Sequence, residues 1–161
     1  MKKVIILFIV VLLGTSSRSD RSETGAYTPV FMSRETLENS VKYILGARDM
    51  IQTGKIYYRA PNIYVNERYK GVHVINNSNP AQPVNEGFIL APGCIDMAVK
   101  DNILYLDNAV DLVSFDLDGK QVTKRIRNVF PEPLPPDNLS FYKSSNRPEG
   151  YILVEWKKTN P

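Results

Sequence analysis

One histidine, one cysteine and a scatter of carboxylates are the groups in this 161-residue chain whose types suit catalysis. His73 stands between Val72 and Val74 in an alternating run, so on a strand it points away from both valines. With no second histidine and no cysteine nearby in sequence, its place is structural or at the surface, not that of a ligand or a base. Cys94 follows Pro92-Gly93 and precedes an apolar run, the setting of a buried, unreactive thiol. Asp96, Asp107, Asp111 and Asp116 recur where turn capping accounts for them, and a hydrolase using two of them as a pair stands as a second alternative function. The run Asp116-Leu117-Asp118-Gly119-Lys120 lacks the third ligand before its glycine that a calcium loop requires. It reads as a hairpin turn, with Gly119 expected at positive φ. The sequence holds no phosphate-cradling glycine loop and no Gly-x-Ser-x-Gly elbow. These residues therefore predict no enzyme, and no catalytic, cofactor-binding or metal-binding set.

Aromatic and cationic residues carry a different chemistry. Tyr57, Tyr58, Tyr64, Tyr69 and Tyr105 recur through the middle of the chain, with Arg59, Arg68 and Lys70 between them. Tyrosine and arginine are enriched at protein interfaces, and an aromatic face also stacks on sugars. Tyr57, Tyr58, Arg59, Arg68, Tyr69 and Lys70 are accordingly the candidate partner-binding surface. The function this favours is a non-catalytic protein-binding or scaffold module, with another envelope protein as partner. The alternative is a glycan-binding accessory protein, which needs exposed aromatic rings on one concave surface.

The rest of the composition narrows the field. With 43% hydrophobic and 23% charged residues, the chain can bury one domain core. Its formal charge of +3 falls to about +1 if Lys2 and Lys3 leave with a cleaved leader, which gives no footprint for nucleic acid. A single cysteine excludes an internal disulfide and any cysteine-built zinc site.

A leader is what the N-terminus looks like. Met1-Lys2-Lys3 precedes ten apolar residues, Val4 through Leu13. At about 1.5 Å per residue these span roughly half a bilayer core, too little for a transmembrane helix and suited to a secretory signal. Residues 1–16 are the expected signal peptide, 17–26 a disordered tether, and 27–161 a single β-rich domain. Leu12-Leu13-Gly14 matches the start of a bacterial lipobox, but Thr15 stands where the acylated cysteine would be. The expected location is the periplasm or an outer-membrane-associated site, with the lipid anchor in doubt.

The elements that must position the candidate residues are short strands. Tyr27–Met32 reads as extended, and Ser33 can cap a short helix with Leu37, Val41 and Ile44 on one side. Strands are then expected over 55–59, 63–67, 72–76, 84–90, 95–100, 103–107, 112–117 and 121–127, separated by turn-forming Asn, Asp, Pro and Gly. A proline-dense loop, Pro131 to Pro136, leads to a last strand over 151–156. An internal repeat runs through this pattern: Tyr64 aligns with Tyr105, 41 residues on, and Asn76 with Asp116, 40 residues on. A period near 40 with four strands per unit is the signature of propeller blades, here about 55–90 and 93–127.

The run Gly71-Val72-His73-Val74-Ile75-Asn76-Asn77-Ser78-Asn79-Pro80 resembles the LVIVD repeat, and Asp111–Asp118 is similar without the Ser-x-Pro end. Through Asp49-Met50-Ile51, Gly54-Lys55-Ile56-Tyr57, Asn66–Gly71, Pro92–Val99, Asp107–Leu112 and Arg147–Tyr151, the whole chain resembles a family of short, uncharacterised envelope lipoproteins of Gram-negative bacteria. That resemblance implies propeller-like blades and an envelope location, and it implies no activity. Two blades cannot close a propeller. The expected form is all-β: two four-stranded, propeller-like blades packed as an open sandwich, with a short N-terminal helix and a C-terminal covering strand. Self-closure of this kind predicts a monomer.

Overall fold

A computed structural model of the chain describes residues 25–139 and 146–159. The expected signal peptide, and all but the last two residues of the expected tether, lie outside the described residues. The elements run β1 (Tyr27–Ser33), α1 (Arg34–Glu38), β2 (Lys42–Leu45), β3 (Thr53–Arg59), β4 (Asn62–Glu67), β5 (Gly71–Asn76), β6 (Val84–Leu90), β7 (Met97–Lys100), β8 (Ile103–Asn108), β9 (Asp111–Asp116), β10 (Gln121–Ile126) and β11 (Tyr151–Lys158). They form an antiparallel sheet in the order β2-β6-β5-β4-β3, a second in the order β10-β9-β8-β7, and a two-stranded ribbon β1-β11. No sheet closes into a barrel. The fold is an all-β sandwich.

Alternation decides which residues lie between the sheets. Tyr64, Val72, Val74 and Ile89 of the first sheet meet Met97, Val99, Leu104, Leu106, Val113 and Phe115 of the second in one continuous core. Several of these are wholly buried, and each large apolar side chain removed from water contributes about 1.5–3 kcal/mol. At one corner the Tyr57 hydroxyl donates to the Val99 carbonyl at 2.9 Å, tying β3 to β7. A smaller cluster of Leu37, Ala109 and Val154 lets α1 and the β1-β11 ribbon close one end of the sandwich.

The repeat has a packing consequence. Tyr64, Val72 and Val74 face the second sheet, whereas their equivalents Tyr105, Leu112 and Ser114 are not part of the core between the sheets. Conversely Val65 and His73 face away from the second sheet, and their equivalents Leu106 and Val113 face in. The two sheets are thus stacked front on back, as successive copies of one unit, and not front to front. Such stacking leaves an apolar face at each outer side, and the chain covers much of both itself, although Ile56 and Tyr58 of the first remain exposed. Residues 46–52 cross the first sheet's outer row, which runs Ile56, Val65, His73, Phe88, Ile44 by register. Phe130, Pro131 and Pro133 lie over Ala98, Tyr105 and Leu112 of the second. This proline segment is held by Val129 and Phe130 amides on the Val110 carbonyl and by the Trp156 indole on the Pro133 carbonyl.

Three expectations need correction. The helix from Ser33 stops at Glu38, capped by the Ser33 hydroxyl at its start and Asn39 at its end. Ile44, expected on that helix, sits instead in β2, and Val41 lies just before it. Val41 to Ile44 is rich in β-branched and aromatic residues, and pairing with β6 outweighs helical spacing there, so the first sheet has five strands and not four. The β9–β10 hairpin is present, but the positive φ of 51° falls on Lys120 and not Gly119. A Cβ at Gly119 would lie 2.7 Å from an Asp116 carboxylate oxygen, so that glycine serves a close approach and not a left-handed backbone. Finally, β7 begins at Met97, because the Ile95 and Asp96 amides bond the Asp107 carboxylate and not a neighbouring strand.

Candidate functional site

The β4–β5 turn, Arg68-Tyr69-Lys70, gathers half of the candidate surface at one place. Tyr69 has a left-handed backbone, φ 63°, which is uncommon for a bulky residue. Its amide donates to the Cys94 carbonyl and its carbonyl accepts from Gly93, so the loop before β7 holds this conformation. The residue that follows the turn must be glycine: Gly71 has φ 143°, and a Cβ there would lie 2.0 Å from the Ile89 carbonyl oxygen. Tyr69 is buried, yet its hydroxyl has no hydrogen-bond partner among the described residues. The Arg68 guanidinium stacks over the Tyr69 ring, 5.2 Å from its centre. Lys70 is paired with Glu155 of β11 at 2.7 Å.

Two clefts flank this turn and share Gln52, Arg68 and Glu155. The larger, about 640 Å³, lies between the 46–52 strap and the first sheet. At its base His73 is wholly buried, with Nε2 3.3 Å from Glu67 Oε2 and its ring edge-on to Phe88. The Glu67 carboxylate also accepts from the Ile51 and Gln52 amides, and Asn85 donates to the Arg48 carbonyl, so the strap is pinned at both ends. The Arg48 guanidinium lies 5.1 Å over the Phe88 ring. The smaller cleft, about 430 Å³, is bordered by Arg68, Tyr69, Trp156, Lys157 and Lys158. Among the described residues Arg48, Arg68, Lys157 and Lys158 have no carboxylate partner. Beside them the strap exposes Ile51, at 87%, and Met50.

The other half of the candidate surface lies elsewhere. Arg59 and Asn62 pair at the far end of β3 and β4, whereas Arg68 follows the near end of β4, a strand length of roughly 20 Å away. Tyr57 faces inward to its Val99 bond, and Tyr58 is exposed on the outer face beside Ile56. Arg59 reaches across to the Asn102 amide oxygen at 2.6 Å. The six residues therefore form two groups at opposite ends of one sheet. Residues 46–52 carry no periodicity, and Asp49-Met50-Ile51 enters only through the resemblance, so the sequence pattern did not place Arg48 or the strap at the candidate surface.

The titratable groups singled out in the sequence are engaged in structure. Cys94 is wholly buried between Asn66 and the Asp96 carbonyl, and burial, reinforced by Asp107, pushes its thiol well above the ordinary range. Burial also raises the Asp107 carboxyl, although the Asp96 and Ile95 amides act against it. Asp96 is lowered, chiefly by its bond from Lys55 at 2.8 Å. Asp111 is buried, and burial alone would raise it. Hydrogen bonds from Arg34, the Asn128 amide and Arg125 outweigh that and hold it below the usual range. Asp116 accepts from the Asp118 amide within its hairpin and from Asn102 on the β7–β8 turn. Among the described residues no three His, Cys, Asp or Glu side chains come together as a metal cage. Nor is any described helix long and apolar enough to cross a membrane.

No family model, curated protein or solved structure matches the chain.

Proposed function

We propose that this protein is a non-catalytic binding module of the bacterial envelope, and that it binds an acidic segment of another protein at the paired clefts around the β4–β5 turn. What supports this most is the pair Arg48 and Arg68: two guanidinium groups without carboxylate partners, each parked on an aromatic face, on the strap and the turn that border one cleft. A stacked guanidinium keeps its in-plane donors free and is already ordered, so less entropy is lost when it meets a carboxylate. Lys157 and Lys158 extend the positive rim along the smaller cleft, while Asp49 opposes it at the larger. Exposed Ile51 and Met50 add an apolar anchor of the kind protein interfaces use.

A glycan is the weaker reading at this site. Phe88, Tyr69 and Trp156 are nearly wholly buried, and two of the three rings are covered by arginine, so no ring face is free for a sugar. The reading of an exported protein rests on the N-terminal residues 1–16 and the resemblance to envelope lipoproteins, and the largely self-covered outer faces favour a monomer. Fluorescence anisotropy with a labelled oligo-glutamate peptide and a labelled oligogalacturonate tests the partner class. Peptide binding that weakens with salt, and drops about tenfold or more in Arg48→Ala/Arg68→Ala, supports the proposal. Preference for the oligogalacturonate, or binding indifferent to both substitutions, contradicts it.

A further inference from the structure

At the opposite end of the sandwich from the β4–β5 turn, a cavity of about 420 Å³ opens between the two sheets. Its floor is the core itself: Tyr64, Val74 and Ile89 from the first sheet and Phe115 from the second, all nearly or wholly buried. Two bridges cross its mouth. Arg59 reaches Asn102 on the β7–β8 turn at 2.6 Å, and Lys120 on the β9–β10 turn places its ammonium 4.3 Å from the centre of the Tyr43 ring. Tyr64 is 2% exposed and lines the cavity, yet no described group bonds its hydroxyl. The Tyr43 ring enters over Gly87, where a Cβ would lie 2.1 Å from the Tyr43 hydroxyl oxygen; the glycine makes room for it. Burial, with Glu86 and Tyr64 nearby, raises the Tyr43 hydroxyl above its ordinary value and keeps it a proton donor.

Around these hydroxyls stand Asn62, Asn102, Glu86 and Asp118 beside Arg59 and Lys120. Amides and hydroxyls both donate and accept, carboxylates accept, and guanidinium and ammonium donate. This rim therefore offers both halves of a hydrogen bond at closely spaced points, which matches a ligand whose own groups are hydroxyls. Two cations and two carboxylates balance, so a net charge on the ligand is not called for. The half-buried Tyr43 ring at the mouth supplies apolar area for its C–H surface. We infer that the cavity between the sheets is a binding site for a neutral pyranose sugar, held by the Tyr64 hydroxyl, Asn62, Asp118 and Arg59 beside the Tyr43 ring. This site is separate from the clefts of the acidic-segment proposal and does not depend on that reading.

Amide-resolved NMR of the whole described domain tests it, with D-glucose, N-acetyl-D-glucosamine and D-glucuronate titrated separately at millimolar concentration. The expected result is saturable shifts at residues 59–64, 102 and 115–120 with at least one neutral sugar, and weaker binding of glucuronate. Tyr64→Phe removes a hydroxyl that no group among the described residues bonds, so the fold keeps its stability while affinity for the sugar falls about tenfold. Asp118→Ala, at an exposed turn, gives a second variant with the same expectation. The inference is overturned by an absence of saturable shifts with all three sugars, by tighter binding of glucuronate, or by unchanged affinity in both variants.

Discussion

At the β4–β5 turn the chain leaves Arg68 and Lys70 at the surface and bends Tyr69 into a left-handed backbone. At the β8–β9 turn, about 40 residues on, Ala109 and Val110 are buried, at 4% and 6%. The two turns occupy the same place in two repeat units, yet their surroundings differ in kind. Ala109 packs against Leu37 and Val154, and the Val110 carbonyl receives two amides from the proline segment. Where the first unit has Gly71, the second has Asp111, clamped by Arg34 and Arg125 so that α1 and β10 are locked to β9. One unit has used its turn to close the fold, and the other has left its turn open. There Arg68, and Arg48 on the neighbouring strap, stack on rings and have no carboxylate partner among the described residues. Divergence of this sort between copies of one unit separates a closed, structural end from an open one, the end proposed to bind.

The comparison breaks first at Asp111. Asp111→Ala leaves two arginines facing an empty buried position and should cost about 3–5 kcal/mol. Urea unfolding at neutral pH reads this directly. The pH dependence has a definite sign: the folded-state pKa is lowered, so the Asp111 contribution is present above the ordinary carboxylate value of about 4 and is lost as pH falls through the folded value. Asp107 runs the other way, since a raised folded-state pKa makes protonation favourable to the fold. Wild type should therefore lose more stability between pH 5 and pH 3, roughly, than Asp111→Asn does. An equal loss in both would mean that the clamp is not what couples α1 to β9.

A smaller effect is expected on the first sheet. Glu67→Ala removes the acceptor for the Ile51 and Gln52 amides and the carboxylate beside His73, at a cost of about 1–3 kcal/mol. Hydrogen exchange should show the loss confined to the strap and His73, with the second sheet protected as in wild type. Spread of the effect to β8 and β9 would contradict the division into a closed and an open unit.

Much of the fold was legible because its signals are local. Alternation placed β4, β5, β6, β8 and β9 within a residue or so, and put His73 on the face opposite Val72 and Val74. What was not legible depends on distant partners. Lys42–Leu45 became a strand because β6 offered an unpaired edge, and the β1-β11 ribbon formed between the two ends of the domain. The front-on-back stacking was hidden because alternation tells which residues share a face but not which face turns inward. At the candidate site, Arg68, Tyr69 and Lys70 were found through residue type alone, whereas Arg48 enters only because the strap folds back over Phe88. Tyr57, Tyr58 and Arg59 looked continuous with them in sequence and lie a strand length away. Gly71 was visible as the first residue of the repeat motif, but its reason, the Ile89 carbonyl beneath it, is tertiary.

The account's central claim is that the two equivalent turns differ in function: the first binds and the second only closes the fold. Amide-resolved NMR of the intact domain, titrated with an oligo-glutamate peptide at low salt, tests this most directly. The result expected is saturable shifts over residues 48–52 and 68–71 that vanish in Arg48→Ala/Arg68→Ala, with Ala109 and Val110 unmoved. Shifts centred on Ala109 and Val110, or none anywhere at saturating peptide, would contradict it.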